Sequence, residues 1–340
     1  MEAAQQLLEN VEAARATKQN DRAMDYCVQA IKHINTYLPE KAREGILSDL
    51  DGSQQKLEEL IEKGADFEGY LDGLLTYSQL LYLRGEISMD RGHTKQAEDD
   101  LGNAKALCEK LCDDIGAARC VRSQGMLRLM LKDVARAEEL LHLAVRKCRE
   151  AGDGREEAAT LRLLVGLCEG RASRFDEACG LYHEMLEALQ NEGDSAGVAA
   201  ALLDLGQMRL RRHLGDTSSG KDVDFAELEM TDMDLSSALQ AITDIADGTS
   251  KGQEDGDEDG AGSSKSAIAR LAEALTAVGT VKMLLGDQPA AVDALERARA
   301  EYDNRGDDEG SQKAEALLTD VRRIMDKVDS TSVTPSGAAP

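Results

Sequence analysis

Small and bulky apolar residues recur along this chain with a period of about 40 residues. Five glycines set the frame, and the first four are separated by 40, 41 and 40 residues. An alanine follows most of them after twelve residues, a bulky residue after sixteen and a further apolar residue after nineteen. The glycines are Gly85, Gly125, Gly166, Gly206 and Gly279, and the matching triplets are Ala97, Leu101 and Ala104; Ala137, Leu141 and Ala144; Ala178, Tyr182 and Met185; and Ala291, Leu295 and Ala298.

This spacing predicts pairs of helices that cross closely. Glycine inside a helix costs up to about 1 kcal/mol relative to alanine, so its return at one phase indicates a place where only a bare backbone fits. The three later positions share one face of a second helix, because residues three and four apart are neighbours on a helix. Gly152-Asp153, Gly193-Asp194 and Gly306-Asp307 each stand 27 residues after a framing glycine. They predict a helix C-cap followed by a turn between repeats.

The order Gly, Ala, bulky, Ala on paired helices resembles the tetratricopeptide repeat (TPR) family. The 40-residue unit is similar to the repeats of the Gα-binding spindle adaptors, rapsyn and kinesin light chains. The resemblance covers residues 76–212 and 266–305. It implies an all-α protein with a TPR-like α-solenoid, a right-handed superhelix of antiparallel helix pairs.

The repeat frame also predicts how the chain is divided. After Gly206 the best match to the missing alanine is Ala238, an excess of 20 residues over the usual spacing. Residues 248–266 are mostly Gly, Ser, Asp and Glu, which cannot bury enough apolar surface to offset chain entropy. We expect an N-terminal helical region with a degenerate repeat (1–70), a solenoid with an insertion at about 214–233 (71–247), an acidic disordered loop (248–266), a C-terminal repeat with a capping helix (267–328) and a disordered tail (329–340).

Composition narrows the fold and the partners. Aromatic residues make up 3% of the 340 residues, which suits thin layers of packed helices better than a thick sandwich or barrel. The formal net charge of −25 argues against nucleic acid or an anionic membrane as a partner, since both attract cations. The sequence has no run of about 18 apolar residues and no basic-then-apolar start, so we expect neither a spanning helix nor a secretory signal. Seven scattered cysteines suit reduced thiols in a cytoplasmic protein.

One acidic motif raises a different function. Residues 255–260 match the opening D-x-D-x-D-G of a calcium loop. Such a loop also needs an apolar residue at position 8 and a glutamate at position 12, where this chain has Gly262 and Ser266. An acidic linker is therefore favoured, and a calcium-responsive regulatory protein is the alternative function.

The sequence gives little support to a metal site or to catalysis. Cys108 and Cys112 are one helical turn apart, but Cys108 and Cys148 occupy one repeat position that Leu189 and Tyr302 fill elsewhere. A position that accepts all of these side chains is a packing position. The chain also lacks a phosphate-binding P-loop and H-E-x-x-H. We expect no metal and no cofactor, and an enzyme is the least supported function.

A relatively basic window in the middle of the chain indicates a binding surface. Residues 119–212 carry 15 basic and 15 acidic side chains, whereas both flanking segments are acidic. In the TPR family the first helix of each pair lines the concave face, so the resemblance implies an apolar groove with arginine edges; arginines on the convex face remain the alternative. The implied partner is another protein, offering a peptide or helix with apolar anchors and acidic flanks to a non-catalytic adaptor or scaffold. The implied peptide-binding residues are Tyr82, Arg119, Arg122, Met126, Leu129, Leu163, Leu167, Arg171, Leu203, Gln207 and Arg211. Glu86 and Met89 have groove-lining phases on the same helix as Tyr82.

Overall fold

The computed structural model describes residues 2–38, 43, 65–169, 171–220, 224–250 and 269–332. Within these ranges the chain is helical and contains no strand, as the repeat pattern predicts. Packing divides the chain into two compact units, Met1–Cys168 (unit 1) and Glu169–Pro340 (unit 2).

The described part of unit 1 consists of helices packed in antiparallel pairs, α1 with α2, α3 with α4, and α5 with α6, and α7 packs against α6. We call α1, α3, α5 and α7 its first helices. The bounds are α1 Glu2–Ala16, α2 Asn20–Tyr37, α3 Ala65–Asp90, α4 Thr94–Lys110, α5 Asp114–Met130, α6 Val134–Ala151 and α7 Gly154–Cys168.

Unit 2 begins with a short 3₁₀ turn, Ala172–Arg174, and continues with six α-helices in its described part. Its two extensive pairs are α9 with α10 and α11 with α12, and α13 packs on α12. The bounds are α8 Phe175–Asn191, α9 Ser195–Ser218, α10 Phe225–Ser250, α11 Leu271–Leu285, α12 Gln288–Arg305 and α13 Asp308–Ser332.

The framing glycines lie where two helices of a pair approach most closely. A Cβ atom added at Gly125 would lie 2.9 Å from Cδ2 of Leu141, and one added at Gly279 would lie 2.6 Å from Cγ of Leu295. Gly85 has the same relation to Leu101. The glycine period is therefore a packing period, as predicted. The prediction is wrong at Gly166, because a Cβ there would meet no described atom within 4 Å.

The structure also corrects the phase of the repeat after Gly206. An added Cβ at Gly206 would lie 2.5 Å from Cδ2 of Leu235, so Leu235 takes the position that Leu101 holds relative to Gly85. Leu235 stands 29 residues after its glycine and Leu101 stands 16 after its own, an excess of 13 rather than 20. Ala238 is thus the second small residue of the stripe, and the buried Thr231 takes the place of the first alanine.

The turns between repeats follow the predicted Gly-Asp chemistry. Gly152 adopts φ 73°, a left-handed conformation that glycine accepts at little cost, and the Asp153 carboxylate then accepts a hydrogen bond from the Glu156 amide at 2.9 Å. Gly193-Asp194 and Gly306-Asp307 repeat this arrangement. Each turn therefore ends one helix and caps the next.

Several predicted segments lie partly or wholly outside the described residues. These are most of the second half of the N-terminal region, the acidic loop 248–266 beyond the end of α10, the calcium-like motif 255–260 and the end of the tail. The predicted division into domains stays a prediction.

Substituting the glycines tests the packing period. Gly125→Leu should lower the free energy of unfolding by about 1–3 kcal/mol or more, because the new side chain would overlap Leu141 in a packed interface. Gly166→Leu is the matched control and should not lower it, because the position is exposed and open. Urea unfolding followed by circular dichroism measures both. Equal losses in the two variants would contradict the packing role.

Candidate peptide-binding surface

Glu86 is the centre of a polar network on the first helices of unit 1. Its carboxylate accepts hydrogen bonds from Arg15 Nη1 at 2.5 Å, from the Tyr82 hydroxyl at 2.6 Å and from Ser123 Oγ at 3.0 Å. Glu86 is 9% exposed and Ser123 is fully buried. A buried carboxylate is costly unless it is paired and hydrogen-bonded, and three donors from α1, α3 and α5 meet that need.

The network continues to α7 through the two arginines that the sequence placed at the edge of the groove. Arg122 Nη1 lies 2.5 Å from Glu156 Oε2, and Arg119 Nε lies 2.8 Å from Glu156 Oε1. Arg122 Nη2 also donates to the Tyr82 hydroxyl at 3.4 Å. The Arg122 side chain is only 17% exposed, whereas that of Arg119 is 47% exposed. Arg122 therefore chiefly links α5 to α3 and α7, whereas part of the Arg119 side chain stays accessible to a ligand.

Tyr82 is held in its neutral form by this environment. Burial and the adjacent Glu86 carboxylate raise the pKa of Tyr82 to about 12. Its phenol donates to Glu86, and its ring packs half-buried against the cluster of Met89, Ala97, Leu101 and Leu127. Tyr82 thus joins the polar network to the apolar core of its repeat.

A cavity of about 310 Å³ opens beside the network. Gln79 and Tyr82 of α3 and Ile115 and Arg119 of α5 contribute to its wall. Ile115 is 37% exposed, so part of this large apolar side chain is accessible at the cavity. The cavity therefore combines an accessible apolar side chain with polar groups.

Two buried cysteines also line this cavity. Cys108 and Cys120 are 3% and 1% exposed. The pKa of the Cys120 thiol is raised chiefly by a hydrogen bond with Cys108 and, to a smaller extent, by burial. Both side chains act as small apolar groups, which agrees with the packing role expected for Cys108.

The apolar residues predicted on unit 1 are partly accessible. Met126 packs half-buried against the same cluster as Tyr82. Leu129 on α5 and Leu163 and Leu167 on α7 are also half-buried. Their side chains keep some surface that a ligand can contact.

The predicted residues on unit 2 are less uniform. Leu203 is fully buried and packs in a core cluster with Leu228, Leu235 and Val278, so its assignment to the binding surface is corrected. The reason is that both α10 and α11 contribute large side chains around this part of α9. Gln207 is half-buried, and Arg171 and Arg211 are exposed, with Arg211 Nη2 lying 3.6 Å from Glu169.

Of the two acidic members of the network, Glu86 has a predicted groove-lining phase, whereas Glu156 was not predicted. Glu86 follows Tyr82 by one helical turn, so their spacing in the sequence is enough to predict that the two side chains meet. Glu156 lies 34 residues from Arg122, and only the folded arrangement of α5 and α7 reveals this pair. Ser123, which is next to Arg122, gives no signal in the sequence that it reaches Glu86.

The described residues meet the requirements neither of a metal-ligand group nor of a membrane-spanning helix. No group of three or more His, Cys, Asp or Glu residues there is placed to hold a metal ion. None of the described helices is long and apolar enough to cross a membrane.

Comparison with known proteins supports the fold. No protein-family model matches the chain, and no curated protein matches it in sequence. The crystal structure of the apo form of RapI is similar over 75% of this chain and 88% of that protein, with a TM-score of 0.50 and 13% identity. The fold is a TPR-like α-solenoid.

Two further crystal structures resemble this chain at slightly lower TM-scores. BtubC from P. vanneervenii gives 0.47 with 17% identity, over 84% of this chain and 94% of that one. Yeast Tom70 gives 0.48 with 17% identity, over 98% of this chain and 57% of that one.

The raised pKa of Tyr82 predicts a pH-dependent contribution to stability. The folded state holds the phenolic proton up to about pH 12, whereas an unfolded tyrosine loses it near pH 10, so this contribution is complete below pH 10 and is lost as pH rises towards 12. Tyr82→Phe should cost about 1–2 kcal/mol at pH 8, because Glu86 loses a donor. The cost should shrink by about 1 kcal/mol at pH 11.

Urea unfolding at the two pH values measures this difference. Tyr26→Phe is the control, since Tyr26 lies on α2, outside the network. A cost for Tyr82→Phe that is the same at pH 8 and pH 11 would show that the phenol titrates normally.

Proposed function

We propose that this chain is a non-catalytic adaptor that binds a peptide or helical segment of another protein on the first helices of unit 1. The cavity of about 310 Å³ carries the proposal, because two of the predicted binding residues, Tyr82 and Arg119, line it together with the exposed Ile115. The 40-residue form of the TPR unit is part of the same proposal.

The size and lining of the cavity suit one anchoring side chain of a protein ligand. Small-molecule pockets usually measure about 300–1,000 Å³ and enclose most of their ligand, so this cavity is at the lower end of that range. It has an apolar part formed by Ile115, Cys108 and Cys120, and polar groups from Gln79 and Arg119. A bulky apolar anchor covered by neighbouring peptide backbone fits this combination.

The ion pairs of Arg119 and Arg122 with Glu156 reduce the affinity that acidic flanks of a ligand can add to that of its apolar anchor. Glu156 pairs with both Arg119 and Arg122 and offsets one of their two positive charges, so acidic flanks on the ligand gain less than the sequence suggested. Rim charges mainly tune association rate and salt response in any case. We therefore give the apolar anchor the larger share of the affinity, with Met126, Leu129, Leu163 and Leu167 as further contacts.

Filling the cavity tests the proposal. A phage-displayed peptide library selected on the full chain should yield peptides with spaced, bulky apolar anchors. Gln79→Trp places a large ring at the cavity wall from an exposed position, so it should weaken the selected peptides by about ten-fold or more in fluorescence anisotropy.

Gln96→Trp is the matched control, because Gln96 is exposed on α4 and does not line the cavity. It should leave the affinity unchanged. Selected peptides that bind Gln79→Trp as tightly as the unchanged chain would exclude the cavity as the anchor site.

A further inference from the structure

The outer face of α10 carries a concentration of exposed apolar side chains. Phe225 is 61% exposed, Met230 50% and Met233 69%, all within nine residues. We call these three residues the methionine face. Leu228, Leu235 and Ile242 are buried on the opposite side of the same helix and fix it against the core of unit 2. The exposure of the methionine face is therefore a consequence of how α10 packs.

The charge of α10 is entirely negative. Its 26 residues include six carboxylates and no Lys or Arg. Three of these carboxylates face cations of unit 2: Glu227 lies near Arg212, Asp232 near Lys282 and Asp234 near Arg209. The other three are Glu229, Asp244 and Asp247, for which no ion pair is found among the described residues.

The unpaired carboxylates share the exposed side of α10 with the methionine face. At 3.6 residues per turn, Met230 and Glu229 fall on either side of Met233, with Phe225 beyond Glu229. Asp244 lies about three turns further along the same side, where it accepts a hydrogen bond from Gln240 at 2.8 Å. The surface is an apolar patch with acidic groups beside it and along the helix.

We propose that the methionine face docks a basic amphipathic helix from a partner protein. Apolar residues of that helix pack on Phe225, Met230 and Met233, and its Lys or Arg side chains pair with Glu229 and Asp244. Methionine suits this role because its flexible, polarisable side chain adapts to different apolar surfaces.

Charge complementarity selects this occupant. Residues 213–340 carry 12 basic and 27 acidic side chains, so an acidic helix or an anionic lipid surface would be repelled. A second copy of the same face would bring further carboxylates against Glu229 and Asp244, and α10 has no Lys or Arg to pair with them, which also disfavours self-association. This surface is separate from the proposed peptide site, because it lies on the second helix of a pair in unit 2 rather than on the first helices of unit 1.

A defined model peptide tests the proposal. The probe is a fluorescein-labelled amphipathic helix of about four turns, with Leu on one face and Lys on the other. It is titrated with the full chain at about 0.15 M salt, where long-range attraction to the net charge is largely screened. We expect Met230→Ser with Met233→Ser to weaken binding about ten-fold. Glu229→Gln should also weaken binding, and the loss should be larger at low salt than at high salt.

The chain offers a closely matched control for the methionines. Met130 on α5 of unit 1 is 50% exposed, as Met230 is, so Met130→Ser makes one such Met-to-Ser change at an equally exposed site outside the face and should leave binding unchanged. Equal binding by the double variant and the unchanged chain would overturn the proposal, as would equal weakening by Met130→Ser.

Sedimentation equilibrium of the chain alone tests whether the methionine face binds a second copy of the chain instead of a partner helix. The proposal predicts no association through this face. A dimer that is lost in the double variant would instead assign the face to self-association and overturn the proposal. Circular dichroism should show unchanged helicity for all of these variants, because the substituted side chains are exposed.

Discussion

The structure depends on the close approach of two helices at a glycine. At Gly85, Gly125 and Gly279 the absent side chain leaves room for the leucine that stands sixteen residues later on the partner helix. This contact sets the distance within each pair, and it recurs because each repeat contacts chiefly its neighbours. Thin layers of Ala, Leu, Val and Cys can then form the core with few aromatic residues.

Thin layers also explain why polar groups reach the interior of unit 1. The first helices make apolar contacts, such as those of Tyr82 and Met89 with Leu127, and Glu86, Ser123, Arg122 and Glu156 add polar links between them. Such a network fixes the relative positions of α3, α5 and α7 and leaves the adjacent cavity open. The same groups that hold the repeats together therefore shape the proposed binding surface.

The fold could be predicted from the sequence because the spacing of residues close together in the chain defines the repeat. The glycine frame, the apolar stripe and the Gly-Asp turns each follow from local geometry, and the structure contains them, apart from the close approach expected at Gly166. The sequence does not predict the surroundings of residues that pack against parts of the chain far away in sequence. Leu203 has the same phase as Tyr82, but α10 and α11 bury it. Arg122 has the phase of a groove residue, but Glu156, 34 residues away, binds it. Leu235 could be placed opposite Gly206 only from the structure, since the lengthened α9 shifts the frame.

The most direct test of the proposed adaptor function is methyl NMR of the full chain with a selected peptide bound. Ile115 lines the cavity and Met126 lies on the same first helix, so both carry methyl groups at the proposed surface. We predict chemical-shift changes and intermolecular contacts at Ile115 and Met126, with no change at Met230 or Met233. Contacts confined to Met230 and Met233, with Ile115 and Met126 unchanged, would contradict the claim that the first helices of unit 1 bind the peptide.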